Sequence, residues 1–214
     1  MIEARSPAAA QALIDATFAV AAAGVPLMKR LIHADDSFVE WDHYPADDAV
    51  DLVAGCRYFY HAHAAGERGE EHGHFHLFFE RDADLHDVRP LASPPIAQEG
   101  NAEVTHLIAV AIDRSGLPSG LFTVNRWVTD EHLLPASVLI ERLPAFDLAN
   151  APGDPLIARW LSALIAFYAP DISELARARD EVIAGWPAER FEDPSIEVLT
   201  ALPIHINDAV EASS

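Results

Sequence analysis

The stretch YHAHAAGERGEEHGHFHLFFE, residues 60 to 80, holds five of the chain's eleven histidines, spaced as His61-x-His63 and His72-x-His74-x-His76 about a loop carrying Glu67, Glu70 and Glu71. Imidazoles gathered in this way suit three kinds of chemistry. Neutral rings bind a divalent ion through their lone pairs. A histidine can attack phosphorus and carry it covalently. A row of rings can also face water from a sheet whose other side is apolar, with no partner at all. Density argues against the last, because solvent faces commonly mix Thr, Lys, Glu and Arg.

The choice turns on strand register. Residues i and i+2 of a strand share a face about 6.6 Å apart, and opposed residues on a neighbouring strand lie about 4.5–5.5 Å apart. His61 and His63 therefore share one side, and His72, His74 and His76 another. Pairing with an odd sum of residue numbers, such as His63 opposite His74 and His61 opposite His76, turns both groups to one face; an even sum sends them to opposite faces. The odd register also collects Tyr58, Tyr60, Ala62, Phe75, Leu77 and Phe79 into an apolar layer suited to packing under helices, and leaves Phe59 and Phe78 beside the histidines. The expectation is thus a site in which His61, His63, His74 and His76 hold a divalent metal: Zn, Fe, Mn or Ni. Glu71 would act as a base on bound water, with Glu67 as a further donor. Arg126, in Asn125-Arg126-Trp127, would serve as an anion clamp for a small organic molecule. His106 reads as either another ligand or a core histidine.

The elements that position this segment follow from local signals. Ser6-Pro7 opens a helix that Gly24 ends, over about residues 7–23. SFVEWDHYP, residues 37–45, alternates like a first strand, with Val39, Trp41 and His43 on one side. The histidine segment is a hairpin with a long loop, and a second hairpin over 104–128 turns at RSGLPSG. Asp154-Pro155 opens a helix to Tyr168, Asp171 with Glu174 caps another that Gly185 closes, and Asp193-Pro194 repeats the start signal. The sum is one α+β domain over residues 1–214, with a helical segment at 1–35, an antiparallel sheet at 36–130 and helices at 131–205.

Composition narrows the function. Fourteen Lys plus Arg against thirty-four Asp plus Glu give a net charge of −20, which repels phosphate backbones and anionic lipid, so neither nucleic acid nor membrane is an expected partner. The lone Cys56 allows no intramolecular disulfide and no cysteine-based zinc motif. The apolar opening segment carries Asp15 and reads as a helix rather than a secretion signal. No run reaches the roughly eighteen apolar residues of a membrane span, and a cytoplasmic location is expected. No Gly-x-Ser-x-Gly, phosphate-cradling glycine loop or His-Glu-x-x-His motif occurs.

Three resemblances carry further expectations. GCRYFYHAHAAGE, residues 55–67, resembles the first motif of the cupins, which implies His61, His63 and Glu67 as metal ligands; the cupins' second motif, with its later histidine, has no counterpart in residues 116–125. HGHFHLF, residues 72–78, is similar to the histidine-triad pattern of nucleotide hydrolases and transferases, which implies His74 as a nucleophile toward phosphorus. There Gly73 replaces a usual hydrophobic residue and acidic GERGEE replaces a glycine- and glutamine-rich lead-in. HAH, EHGHFHLFFE and NRWVT together resemble the signature of an uncharacterised bacterial family, a likeness that spans most of the chain and implies no mechanism.

Overall fold

The computed structural model describes residues 5–32, 37–64, 66–81, 83–95 and 103–213. In chain order the elements are α1 (Pro7–Ala22), β1 (Tyr44–Asp51), β2 (Cys56–Ala62), β3 (Glu71–Glu80), α2 (Ala83–His86), β4 (Val104–Asp113), β5 (Pro118–Val124), α3 (Arg126–Thr129), α4 (Ala136–Arg142), α5 (Pro155–Phe167), α6 (Ala169–Ile183), β6 (Val198–Pro203) and α7 (Asn207–Ala212). The six strands form one antiparallel sheet in sequence order, β1-β2-β3-β4-β5-β6. Helices flank it, so the class is α+β as the sequence pattern implies. Among the described residues, no helix is long and apolar enough to cross a membrane.

Hydrophobic alternation places the core on one face of this sheet. Tyr58, Tyr60, Ala62, Phe75, Leu77 and Phe79 all enter a single buried cluster together with Ile108, Val110, Ile112 and Leu121 of the next two strands. Leu13 and Ala16 of α1 and Ile157, Trp160, Leu161 and Leu164 of α5 complete it. The spacing in α5 is that of a helix with one apolar stripe, and its start is secured by the Asp154 carboxylate, which accepts from the Leu156 N–H at 2.8 Å. With that face filled, the other side of β2, β3 and β4 is left for the polar residues.

The hairpin register has the expected odd sum, but slid by two residues. His61 pairs with His74, Phe59 with His76 and Tyr60 with Phe75. A shift of two preserves which side each residue faces, so the histidine face survives.

Three assignments change. The first strand is Tyr44–Asp51, not residues 37–45: Trp41 adopts left-handed backbone (φ 70°), and at Glu40 only an isolated bridge to Ala62 forms. Residues 198–203 form a sixth strand where helix was expected. Asp193 caps a turn instead of starting a helix, accepting from the Ser195 N–H at 2.9 Å. The helix expected to begin near Asp171 already begins at Ala169.

Candidate metal centre

Two β-bulges decide which side chains reach the histidine face. Across β3 and β4, Gly73 pairs with Ile112 but Glu71 with Asp113, so β3 carries one extra residue at that point. A bulge reverses the alternation. Glu71 consequently turns to the side of His74, while His72 turns away: its Nδ1 lies 2.6 Å from the Tyr60 hydroxyl, and its ring packs on Phe38. The expectation that His72 shares the side of His74 and His76 is thereby overturned. The second bulge opposes Leu77–Phe78 to Ile108 and His106, with Leu107 the extra residue, and brings His106 onto the face of His76.

Gly73 makes the close pairing of β2 and β3 attainable. A Cβ there would lie 2.1 Å from the His61 carbonyl oxygen and 2.5 Å from the Tyr60 hydroxyl. Only glycine fits, which accounts for its place within an otherwise aromatic strand.

The imidazoles then form one connected group. His61 Nε2 lies 2.8 Å from His74 Nε2, and His63 Nε2 lies 3.3 Å from His74 Nδ1. Glu71 Oε1 is 2.7 Å from His74 Nδ1. His76 Nε2 is 3.0 Å from His74 Nε2, and His76 Nδ1 is 3.0 Å from His106 Nε2. One nitrogen each from His61, His63 and His74 lie within 4.8 Å of one another, a grouping that can hold a metal ion. His76 is not in that convergent set. It meets His74 at the same Nε2 that His61 approaches, and joins it to His106.

Proton counting shows how well these donors fit a cation. A neutral imidazole has one N–H and one lone pair. His74 has four neighbours within 3.3 Å on its two nitrogens, so hydrogen bonds cannot satisfy all four contacts. His63 Nδ1 is buried and, among the described residues, makes no hydrogen bond; the nearby Glu67 carboxylate is 3.6 Å away. Ligands on a tetrahedral ion with bonds of about 2.0–2.1 Å sit roughly 3.3 Å apart, a spacing that the 4.8 Å bound on the three nitrogens accommodates.

Burial keeps the rings in the ligating form. His74 and His76 are each 1% exposed and His106 is 2%. Desolvation, joined by the neighbouring imidazoles, depresses His74 and His76 far below the ordinary value. Desolvation first, then His63, lowers His61 to about 3. Desolvation pushes Glu71 up to about 7, with Arg68 opposing it. Aromatic walls surround the group. Trp41 meets His61 and His63 edge-on, Phe122 does the same to His74, and Phe59 leans on His76 with His43 stacked on its other flank at 3.7 Å.

Arg126 belongs elsewhere. Its guanidinium is 2% exposed and engages Glu192 through Nε and Nη2 and Asp130 through Nη1. Asn125 caps α3 and donates to the carbonyls of Arg190 and Ile196, and the Trp127 indole donates to Ile196. These three residues tie the end of β5 to the segment before β6, and none of these bonds reaches the imidazoles. Arg68, overlooked in the sequence, is the basic group at the site. It was readable there as the single base within an acidic loop.

The fold and site together define an α+β protein with an open antiparallel meander and a buried, neutral histidine group on its second, third and fourth strands. The chain belongs to the family described as a domain of unknown function, DUF6969, which matches residues 7–204. No curated protein matches the chain. No solved structure matches it.

Proposed function

We propose that this protein holds one divalent metal ion, Zn, Fe, Mn or Ni, through His61, His63 and His74, and that the ion acts on a small organic molecule. The observation that carries the reading is His74, a buried neutral ring with more close neighbours than its one proton and one lone pair can serve. Bound there, the ion would supply Lewis-acid polarisation of the small molecule. The chain's own groups have separate tasks. Glu71 accepts the Nδ1 proton of His74 and so turns the Nε2 lone pair toward His61, the usual arrangement of a carboxylate behind a metal-binding histidine. His76, itself held by His106, packs beside the Nε2 edge of His74, and Trp41, Phe59 and Phe122 keep bulk water from the rings. Glu71 also has the pKa of a proton acceptor near neutrality.

The cupin comparison gains little support, because an open meander in sequence order is not a closed double-sheet roll. The phosphoryl-transfer reading is weaker still, because His72, a member of that pattern, lies on the other side of the sheet.

Elemental analysis of the purified protein, followed by titration of the chelator-treated protein with each of the four ions, tests the proposal. One ion per chain, lost in the His61→Ala, His74→Ala double variant, is expected. Metal-free protein that binds none of the four, with a melting temperature unchanged by chelator, would overturn it.

A further inference from the structure

A cleft of about 350 Å³ opens beside the histidine group, lined by Arg68, Glu71 and Phe122 together with the small residues Ala111, Gly120 and Ala201. Two of its lining residues touch the rings. Glu71 lines the cleft and touches His74, and Phe122 lines it while packing edge-on against His74 at 4.9 Å. The volume is at the small end for a ligand pocket, and the small lining residues leave room for a hydrocarbon body.

Arg68 gives this cleft its chemistry. Its guanidinium lies over the Phe122 ring at 5.7 Å, 3.9 Å from Glu71, and is ion-paired with the carboxylate of Glu197. Its positive charge acts on His61, His63, His74 and Glu71 alike. A cation beside an ion site weakens the metal by itself, and a negatively charged ligand that meets both the guanidinium and the ion reverses that effect. On a chain of net charge −20 such a ligand is otherwise repelled. Glu197, partly exposed on the segment leading into β6, occupies the guanidinium as a carboxylate of the protein's own, which is the geometry Arg matches best.

We infer that the cleft between Arg68 and Phe122 is the binding site for a small organic carboxylate, which displaces Glu197 from Arg68 and places its body over Gly120 beside the histidine group. The inference rests on the metal reading for its second anchoring point, and the experiment separates the two. The protein is loaded with Co(II), and its visible absorption is titrated at constant ionic strength with succinate, with propionate and with inorganic phosphate. In parallel, the amide NMR signals of Gly120 and Phe122 are followed against succinate without added metal. Saturable spectral change with both carboxylates, weaker with phosphate, is expected. Arg68→Gln should raise the half-saturating succinate concentration about tenfold while binding Co(II) at least as tightly as the native protein, because the variant loses a positive charge beside the ion site. Gly120→Val should do the same by filling the cleft; a Cβ at this position makes only ordinary contacts, 3.5 Å from Ala111 Cβ and 3.7 Å from the Leu202 carbonyl, and an unchanged melting temperature checks that the γ-methyl groups leave the fold intact. A Co(II) spectrum indifferent to carboxylates, equal response in Arg68→Gln, or preference for phosphate overturns the inference. If Co(II) does not bind, the metal reading falls and the NMR arm decides the cleft alone: shifts at Gly120 and Phe122 that Arg68→Gln abolishes sustain it, and unmoved signals end it.

Discussion

The Glu71 carboxylate meets His74 Nδ1 at 2.7 Å although the two are three residues apart on one strand, a separation that in regular β structure puts side chains on opposite faces. The bulge before Gly73 makes the contact, and through it Glu71 sets which nitrogen of His74 is free. Glu71→Gln keeps the shape but weakens the acceptor. Calorimetric titration should show metal affinity falling by about 10–100-fold, the usual loss when such a carboxylate is removed, with stoichiometry unchanged.

His72 provides the contrast. Its ring belongs to the Tyr60 side, so His72→Asn should bind metal as the native protein does, within about twofold. His74→Asn should bind none by the same titration.

Gly73→Ala inserts a methyl group against the His61 carbonyl and forces β2 and β3 apart. Overpacking of this kind costs about 1–3 kcal/mol. For a chain of this size that lowers the melting temperature by roughly 2–4 °C per kcal/mol. Metal binding should suffer with it, because the displaced backbone carries His61.

Arg126→Ala tests the separation between scaffold and site. Its partners Glu192 and Asp130 are partly exposed, which moderates the loss; about 1–3 kcal/mol is expected from its charged hydrogen bonds. Chemical denaturation should report that loss while metal stoichiometry and affinity stay native.

Stability of the chelator-treated protein should fall with acid. His61 and His106, both near 3 in the fold and 6.5 when free, take up protons in the unfolded chain first, so their contribution is complete above about pH 6.5 and is lost as pH falls toward 3. Each supplies a slope of up to about 1.4 kcal/mol per pH unit, and His63, His74 and His76 shift in the same direction. Glu71 and Glu131, raised to about 7, act with the opposite sign between 4.5 and 7. The histidines outnumber them, and below 4.5 Asp51 and Asp154, both held against desolvation below the ordinary carboxylate value by hydrogen bonds to their charged forms, act in the same direction as the histidines, so denaturation midpoints should drop most steeply there. A midpoint that is flat from pH 7 to pH 4 would contradict the buried, neutral assignment.

What the sequence made legible was whatever depends on alternation. The Tyr58, Tyr60, Phe75, Leu77 and Phe79 layer and the shared face of His61, His63, His74 and His76 follow from a period of two, and they survive a register shift of two. What it hid was parity change. Nothing in EHGHFH marks the extra residue that brings Glu71 inward and sends His72 out, because that bulge is set by pairing with Ile112 and Asp113, some forty residues along. The sixth strand was hidden for a related reason. VLTALP is short and has no buried residue, and it becomes a strand only by pairing with β5. Arg126 misled because a strand-end arginine looks the same in sequence whether it greets a ligand or, as here, Glu192.

The meander also bears on how this chain comes to own its centre. His61 and His74 are thirteen residues apart and sit on neighbouring strands, so bringing them together closes one short loop at little entropic cost. Hairpins of that span zip in microseconds, well ahead of the docking of helices some eighty residues downstream. An ion captured by the nascent hairpin would lock its register before the rest of the polypeptide has arrived, making the metal a folding template as much as a tool.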